Sequence, residues 1–377
     1  MKKLIVILAV IAMVGAFTAT TMAAEWNLYG SARMATFFTS DDPGGPGSST
    51  ADNLQWDLQG NSRIGANVKF NDQIGGRFEY GSGPNLRLLY GTYNFDGGQF
   101  LIGQNYTPLT QFYSDSVFDG DGDLLGVGQF YEGRLPLAQL SMGGFKVALI
   151  KPNVGGTLDG VVTTENILDD DYNAFFTANG LEILTEEVEA ATSTEVKLPK
   201  IEVAYRYSAD QYFVDVFGGY QTYKELDTEL GDQDVDSWVA GVGGGMNFGA
   251  MYLKAGVHIS QNQGQYGAYN PAGMSDEATI IDGRVVDNDG FGYLVVLGYK
   301  VSDSINLEAG YGSETNELDY AGSNEDETVQ YYGNMTYTIT PGFFVVPEIG
   351  FIDRQDDAEG STEGDIFYGG IKWQINF

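Results

Sequence analysis

From Leu54 to Phe70 the apolar side chains Leu54, Trp56, Leu58, Ile64, Ala66, Val68 and Phe70 alternate with Gln55, Asp57, Gln59, Asn61, Arg63, Asn67 and Lys69. A period of two is a strand with one apolar and one wetted face. Held over this length, it exceeds the roughly 5–6 residues usual in soluble sheets and suits the roughly 9–11 that a tilted strand needs to cross a bilayer. The alternation returns at Ile201, Val203, Tyr205 and Tyr207, at Met251, Leu253, Ala255, Val257 and Ile259, and at Val329, Tyr331, Met335, Tyr337 and Ile339. In the last strand Phe367, Ile371, Trp373, Ile375 and Phe377 face away from Lys372, Gln374 and Asn376. Leu294 to Leu297 and Phe343 to Val346 depart from the pattern: they are apolar at consecutive positions, as subunit contacts or strands facing a packed loop would be.

The connections alternate in length. Short turns stand at Asn71-Asp72-Gln73, Asp96-Gly97-Gly98, Met142-Gly143-Gly144, Ser208-Ala209-Asp210, Asn247-Phe248-Gly249, Ser302-Asp303-Ser304 and Thr340-Pro341-Gly342. Longer polar segments lie near 39–53, 105–130, 151–199, 222–236, 261–289, 313–328 and 354–364, with one brief link at Gly81 to Asn85. Tight turns on one rim and long loops on the other are the asymmetry of a membrane barrel. The spacing predicts about sixteen antiparallel strands, an even number that closes the sheet. Closure is required because an open edge in hydrocarbon leaves backbone groups unsatisfied at several kcal/mol each. The predicted fold class is therefore all-β, a transmembrane antiparallel barrel with short periplasmic turns and long extracellular loops.

Composition agrees. The chain holds 52 Gly, 24 Tyr and 22 Phe but only 10 Pro in 377 residues, a mixture for strands and glycine turns. A mean hydropathy of -0.17, with no long uncharged apolar run after the first residues, excludes a helical membrane protein but not a barrel, whose strands average out as polar. Lys2 and Lys3, the apolar run from Leu4 to Phe17 and the small residues ending at Thr21-Met22-Ala23 predict a secretory signal peptide over 1–23, exported through the Sec pathway and cleaved after Ala23 or Ala24, which leaves 24–377 as one barrel domain. The apolar run is shorter than the roughly 20 residues of a spanning helix. With no cysteine, an exported chain has neither disulfides nor thiolate chemistry. Net charge is -33, and without the two leader lysines 17 basic residues face 52 acidic ones, or -35. Phosphate would be repelled, so nucleic acid is not an expected partner. The acids gather in the long segments, as in Asp319, Glu325, Asp326 and Glu327 and from Asp353 to Asp365, which favours a crown of loops over a uniformly acidic soluble surface.

Discrimination in a pore needs a narrow place lined by fixed charge. The best candidate is the segment after Gly103 to about Tyr131, with Asp115, Asp119, Asp121, Asp123 and the adjacent Glu132. Strand phase points Arg33, Arg63, Arg77, Arg87 and Arg134 into the lumen. If the segment folds inward, its carboxylates face an arginine cluster, and opposed charged walls set up a transverse field that orients dipolar solutes. The alternative is that these arginines only neutralise lumen carboxylates such as Asp57, Glu79 and Glu202. Asp119, Asp121 and Asp123 also imitate the opening of a calcium loop, but Leu124 stands where glycine is needed and Phe130 where the bidentate glutamate belongs. An acidic turn is the better reading, so no metal and no cofactor is expected. The single histidine, His258, falls on the lumen phase with Lys254 and Ser260, as pore lining rather than a catalyst. A lipase would need its serine and histidine on the lipid face, so no enzyme is predicted.

Glu25-Trp-Asn-Leu-Tyr-Gly30, the hairpin from Leu88 to Gly103, and the terminal Lys372-Trp-Gln-Ile-Asn-Phe377 resemble the general bacterial porin family of trimeric diffusion channels. Similarity of residues is confined to these patches, while the architecture matches along the mature chain. The resemblance implies that the third loop folds into the barrel, that the terminal strand with Trp373, Ile375 and Phe377 is read by the β-barrel assembly machinery, and that the protein is a homotrimer among outer-membrane lipid and lipopolysaccharide. The Pro-Glu-Phe-Gly-Gly motif of enteric members is missing, and the second loop, which latches neighbouring subunits in the family, is reduced to Gly81-Ser-Gly-Pro-Asn85. The expected function is passive diffusion of ions and small polar solutes through a water-filled, cation-preferring channel of the Gram-negative outer membrane. Two alternatives stand beside it: a substrate-specific channel using Lys151 to Lys200 as a lid or platform, and an adhesin or structural barrel that displays its loops.

Overall fold

A computed structural model describes residues 24–44, 49–83, 85–154, 158, 193–228, 231–281, 284–358 and 360–377. The predicted leader and most of the segment between Lys151 and Lys200 lie outside the described residues. The strands are β1 (Glu25–Asp42), β2 (Ala51–Leu58), β3 (Arg63–Lys69), β4 (Ile74–Gly81), β5 (Leu86–Phe95), β6 (Gly98–Tyr106), β7 (Arg134–Met142), β8 (Phe145–Ile150), β9 (Ser193–Glu195), β10 (Lys200–Ser208), β11 (Tyr212–Thr228), β12 (Gly231–Phe248), β13 (Met251–Gln261), β14 (Thr279–Ile281), β15 (Arg284–Val286), β16 (Asn288–Lys300), β17 (Ile305–Leu318), β18 (Asp326–Thr340), β19 (Phe343–Arg354) and β20 (Asp365–Asn376). β2 and β3 both pair with β1, β9 and β10 both pair with β11, and among the described residues β14 pairs with β15 alone. What remains is one closed antiparallel barrel of sixteen strands. Closure runs through β1 and β20, in register from Ser31↔Asn376 to Asp42↔Asp365, and the Gly30 and Phe377 backbones exchange two hydrogen bonds, 2.7 and 3.0 Å, at the seam.

The alternating pattern is explained by the faces. Leu54, Trp56, Leu58 and Ile64 are all more than half exposed on the outer surface, where hydrocarbon would wet them. Exposed Tyr207, Tyr212, Phe248, Tyr299 and Tyr337 mark the rim of short turns, and Trp56, Tyr220, Phe291, Tyr311 and Tyr331 lie toward the other end, as two aromatic girdles would.

Three sequence expectations change in detail. The run from Leu54 to Phe70 is two strands, because β1 advances three residues from Ser31 to Met34 while its partner advances five from Leu58 to Arg63. Two extra residues leave the phase intact, which is why the alternation reads through the break. The bulge is pinned by Arg33 N–H donating to Ser62 Oγ at 2.9 Å, and it turns Asn61 into the lumen. The predicted loop at 222–236 is mostly paired strand, since β11 and β12 continue to Thr228 and Gly231, and Lys224 meets Asp234 at 2.9 Å beyond the aromatic belt. Much of 313–328 is likewise the ladder of β17 and β18. Backbone groups go on pairing whether or not the side chains are apolar.

The consecutive apolar residues also find their reason. Leu294, Val296 and Val346 point inward and are buried with Tyr113, Val117 and Leu124 of the segment between β6 and β7, while Val295 and Leu297 face out. Of the two readings of these strands, facing a packed loop is the one the structure shows. A barrel wall that carries a core is apolar on both faces there.

Candidate functional site

The segment from Thr107 to Gly133 leaves β6, crosses the lumen and returns to β7. A polar pore interior offers no general hydrophobic reason to hold such a segment, so its backbone amides need particular acceptors. The wall supplies them as carboxylates. Glu202 of β10 accepts from Leu109 N–H at 3.2 Å, and Asp215 of β11 accepts from the Tyr113 hydroxyl at 2.8 Å. On β17, Glu308 accepts from Asp115 N–H at 2.7 Å and Glu314 from Gly128 N–H at 3.0 Å. Glu348 of β19 takes three donors: Val117 N–H at 2.8 Å, Phe118 N–H at 3.0 Å and Ser116 Oγ at 2.9 Å. These are charge-assisted hydrogen bonds in buried places, the strong kind.

Apolar contacts fill the space between. Phe118 stacks on Tyr368 with centroids 3.8 Å apart, and Tyr113 lies on Gly243 and Gly256, where a Cβ would collide with its ring. The seat for the loop is therefore acid and glycine on the same wall.

A second segment folds inward beside it. Between β13 and β16, Tyr266 is fully buried: its hydroxyl donates to Glu202 at 3.1 Å, and at Gly219 a side chain would occupy the place of that hydroxyl. Lys200, also fully buried, pairs with Glu132, donates to the Tyr266 carbonyl at 2.7 Å, and sits 4.1 Å above the Tyr266 ring. Tyr269 packs edge-on against Tyr131 and donates to Asp119 at 3.4 Å.

Opposite this seat the lumen narrows to a cavity of about 470 Å³. Arg33, Arg63, Arg87 and Arg134 line one side, from β1, β3, β5 and β7, and Asp115, Asp119, Asp121 and Asp123 line the other from the loop. Eight of the ten charged residues singled out in the sequence thus meet in one place. Arg77 and Glu132 do not line it. Arg77 is held by the Tyr29 hydroxyl at 2.8 Å and by Glu79 at 3.1 Å, and Glu132 is consumed by Lys200. Neutralisation also occurs: buried Glu79 meets Arg87 at 2.7 Å and Arg63 at 3.5 Å as well as Arg77. Asp121 is clamped by Arg33, by Lys372 at 2.6 Å and by Asn61 of the bulge at 2.7 Å. Among the described residues Arg134 makes no salt bridge with an acid, and it lies 4.8 Å over the Tyr106 ring.

The calcium-loop likeness of Asp119, Asp121 and Asp123 gathers no ligand set. Asp121 is spent on two cations, and among the described residues no three acidic or histidine side chains converge on a metal position. Asp119, Asp121, Asp123 and Leu124 instead take left-handed backbone, with φ between 49° and 65°, in a tight acidic turn. His258 is not pore lining. It is buried, 3.0 Å from Glu314 and edge-on to Phe130, under the inward loop.

Sequence reasoning missed the wall acids as loop anchors, Lys200 and Lys372 as pins, the second inward segment, and a contiguous set of lumen aromatics: Tyr106, Phe112, Tyr131 and Tyr269. The signal for the anchors was present. Asp215, Glu308, Glu314 and Glu348 each stand on the lumen phase of a strand, and Gly243 and Gly256 on β12 and β13, with Gly312 on β17 itself, mark where something presses on the wall.

The family model described as Gram-negative porin matches residues 8–357. No curated protein sequence matches the chain. Among solved structures, the outer membrane channel DcaP of Acinetobacter baumannii is similar at 18% identity, with a TM-score of 0.71 over 95% of this chain and 99% of that one. OmpF of Salmonella typhi in complex with daunomycin is similar at 15% identity, TM-score 0.57, over 95% and 99%. The anion-selective porin from Comamonas acidovorans is similar at 10% identity, TM-score 0.57, over 94% and 100%. At such identities the likeness to these three is one of fold.

Proposed function

The chain belongs to the Gram-negative porin family and is an outer-membrane porin channel, and we propose that it carries small hydrophilic solutes and ions passively, with a preference for cations, past an eyelet of opposed arginines and aspartates. The observation that carries this reading is the cavity in which four arginines on the wall face four aspartates on the inward loop. Such a pair of walls sets a field across the path, so a dipolar solute is turned and an apolar one, unable to replace its water, is slowed. The family and fold are those of non-enzymatic channels.

The cation preference rests on the mouth rather than the eyelet, where the opposed charges balance. Asp42, Asp52, Asp232, Asp234, Glu325 and Asp356 are exposed around the rim that carries the long segments. Their summed potential enriches cations before the eyelet is reached, and salt screens it over about 8–10 Å at ordinary ionic strength. The expected result across a potassium chloride gradient is a reversal potential of potassium-selective sign that shrinks as both sides are made more concentrated. A chloride-selective sign overturns the preference.

The partners follow from the same reading. A leader over 1–23 directs export through the Sec pathway and is removed, so sequencing the membrane form is expected to begin at Ala24 or Glu25. Trp373 and Ile375, which face outward on β20, and Phe377, which is exposed and bonded to Gly30 at the closing seam, form the signal read by the assembly machinery. The barrel resides among outer-membrane lipid and lipopolysaccharide as a homotrimer, and a native mass of one subunit in mild detergent contradicts the trimer. A substrate-specific channel is the second reading, favoured by the contiguous Tyr106, Phe112, Tyr131 and Tyr269 in the path. Block of the current by a micromolar solute separates it from general diffusion.

A further inference from the structure

Two chambers border the inward loop. One is the eyelet cavity of about 470 Å³, and the other, of about 670 Å³, opens toward the short-turn rim and is lined by Thr110, Gln111, Lys146, Arg206 and Asp215 among others. The residue common to both linings is Phe112.

Tyr113 is drawn into the wall by Asp215 at 2.8 Å, by the Phe213 ring at 6.2 Å and by the flat seat at Gly243 and Gly256, while the Phe112 side chain beside it borders both cavities. Phe112 is 44% exposed, whereas the other large apolar side chains of the segment from Thr107 to Gly133 are buried or partly buried. Two tyrosines keep its ring in place, Tyr106 edge-on at 5.6 Å and Tyr131 at 6.3 Å. Charge stands in both cavities that it borders: Arg134 and Asp115 line the eyelet, and Lys146 and Arg206 line the other chamber.

Resting on the channel reading above, we propose that Phe112 is the specificity-determining residue of the pore, an apolar partition that sets its size limit between two charged chambers. Charged side chains can take over hydration contacts from a passing ion or polar solute, but a phenyl ring offers none. At Phe112 a solute therefore has to pass with its remaining water, and the width left beside the ring decides which solutes do. The arginines and aspartates set orientation, and the ring sets size.

The test uses the full chain in planar bilayers with neutral polyethylene glycols of graded mass. Phe112→Ala is expected to raise single-channel conductance by roughly one and a half-fold and to admit larger polymers, while Phe112→Trp lowers both, because the ring occupies the path and not the barrel wall. Both variants should keep the heat-resistant gel mobility of the folded barrel. Since the chain has no cysteine, Phe112→Cys offers a unique thiol, and a small neutral thiosulfonate reagent is expected to lower the current when added from either side. A conducting wild type whose conductance and polymer limit do not change in the Ala and Trp variants overturns the partition. A folded wild type that passes no current overturns the channel reading itself.

Discussion

Replacing Glu348 with leucine is expected to free the middle of the inward loop without unfolding the barrel, and so to turn steady open levels into noisy ones of higher mean conductance. Glu348 is the most heavily used of the wall anchors. It holds Ser116, Val117 and Phe118 at 2.8–3.0 Å, and Asn334 donates to it at 3.0 Å. Hydrogen bonds to a charged group are worth about 1.5–3 kcal/mol each, so losing three from the loop costs its docking on the order of 4 kcal/mol or more. The leucine also leaves the amides of Val117 and Phe118 buried without an acceptor, which drives the loop off the wall rather than letting it settle. Glu348 faces the lumen, and the ladder of β19 with β18 and β20 consists of backbone bonds, so heat-resistant mobility on gels should be kept. Open-channel noise and mean conductance equal to the wild type would show that Glu348 does not hold the loop.

Lys200→Met is expected to give the largest loss of stability of any single lumen substitution. The ammonium is fully buried and serves two loops at once, neutralising Glu132 at the end of the inward loop and capping the Tyr266 carbonyl of the second inward segment. Its removal strands Glu132 beside Glu202, whose own oxygens are engaged by Leu109 N–H and the Tyr266 hydroxyl. Breaking a buried ion pair from one side typically costs about 3–5 kcal/mol, because the partner is left charged without solvent. The temperature at which the barrel loses its compact gel mobility should fall clearly. The double variant Lys200→Met with Glu132→Leu should recover most of the loss, since removing both charges removes the penalty. A double variant no more stable than the single one contradicts this account of the pair.

The barrel was legible because a membrane wall forces every other side chain onto one solvent, and a two-residue bulge at Gln59 to Ser62 does not disturb that phase. Strand phase alone pointed Arg33, Arg63, Arg87 and Arg134 to the lumen, and the succession of strands from β1 to β7 gathers them along one stretch of the wall. What strand phase does not encode is a loop that lies across other strands. Glu308 and Glu348 read as ordinary pore acids until Asp115 and Val117 are laid over them, from about two hundred residues away in sequence. For the same reason Glu132 read as a constriction residue, when its partner Lys200 stands on a strand that loop-based reasoning had no means of bringing near. His258 read as wetted because its strand face is wet elsewhere; the loop covers it. The consecutive apolar residues at Leu294 to Leu297 and Phe343 to Val346 were where the covered wall showed through in the sequence.

All of this depends on a water-filled path through a closed sheet, narrowed from within. Single-channel recording of the purified, folded protein in a planar bilayer tests that most directly. The account predicts discrete current steps, linear in voltage over a moderate range and rising with salt concentration, from a protein that needs detergent or lipid to stay dispersed. A protein that inserts and folds yet passes no current, or one that stays monodisperse in plain buffer, contradicts it.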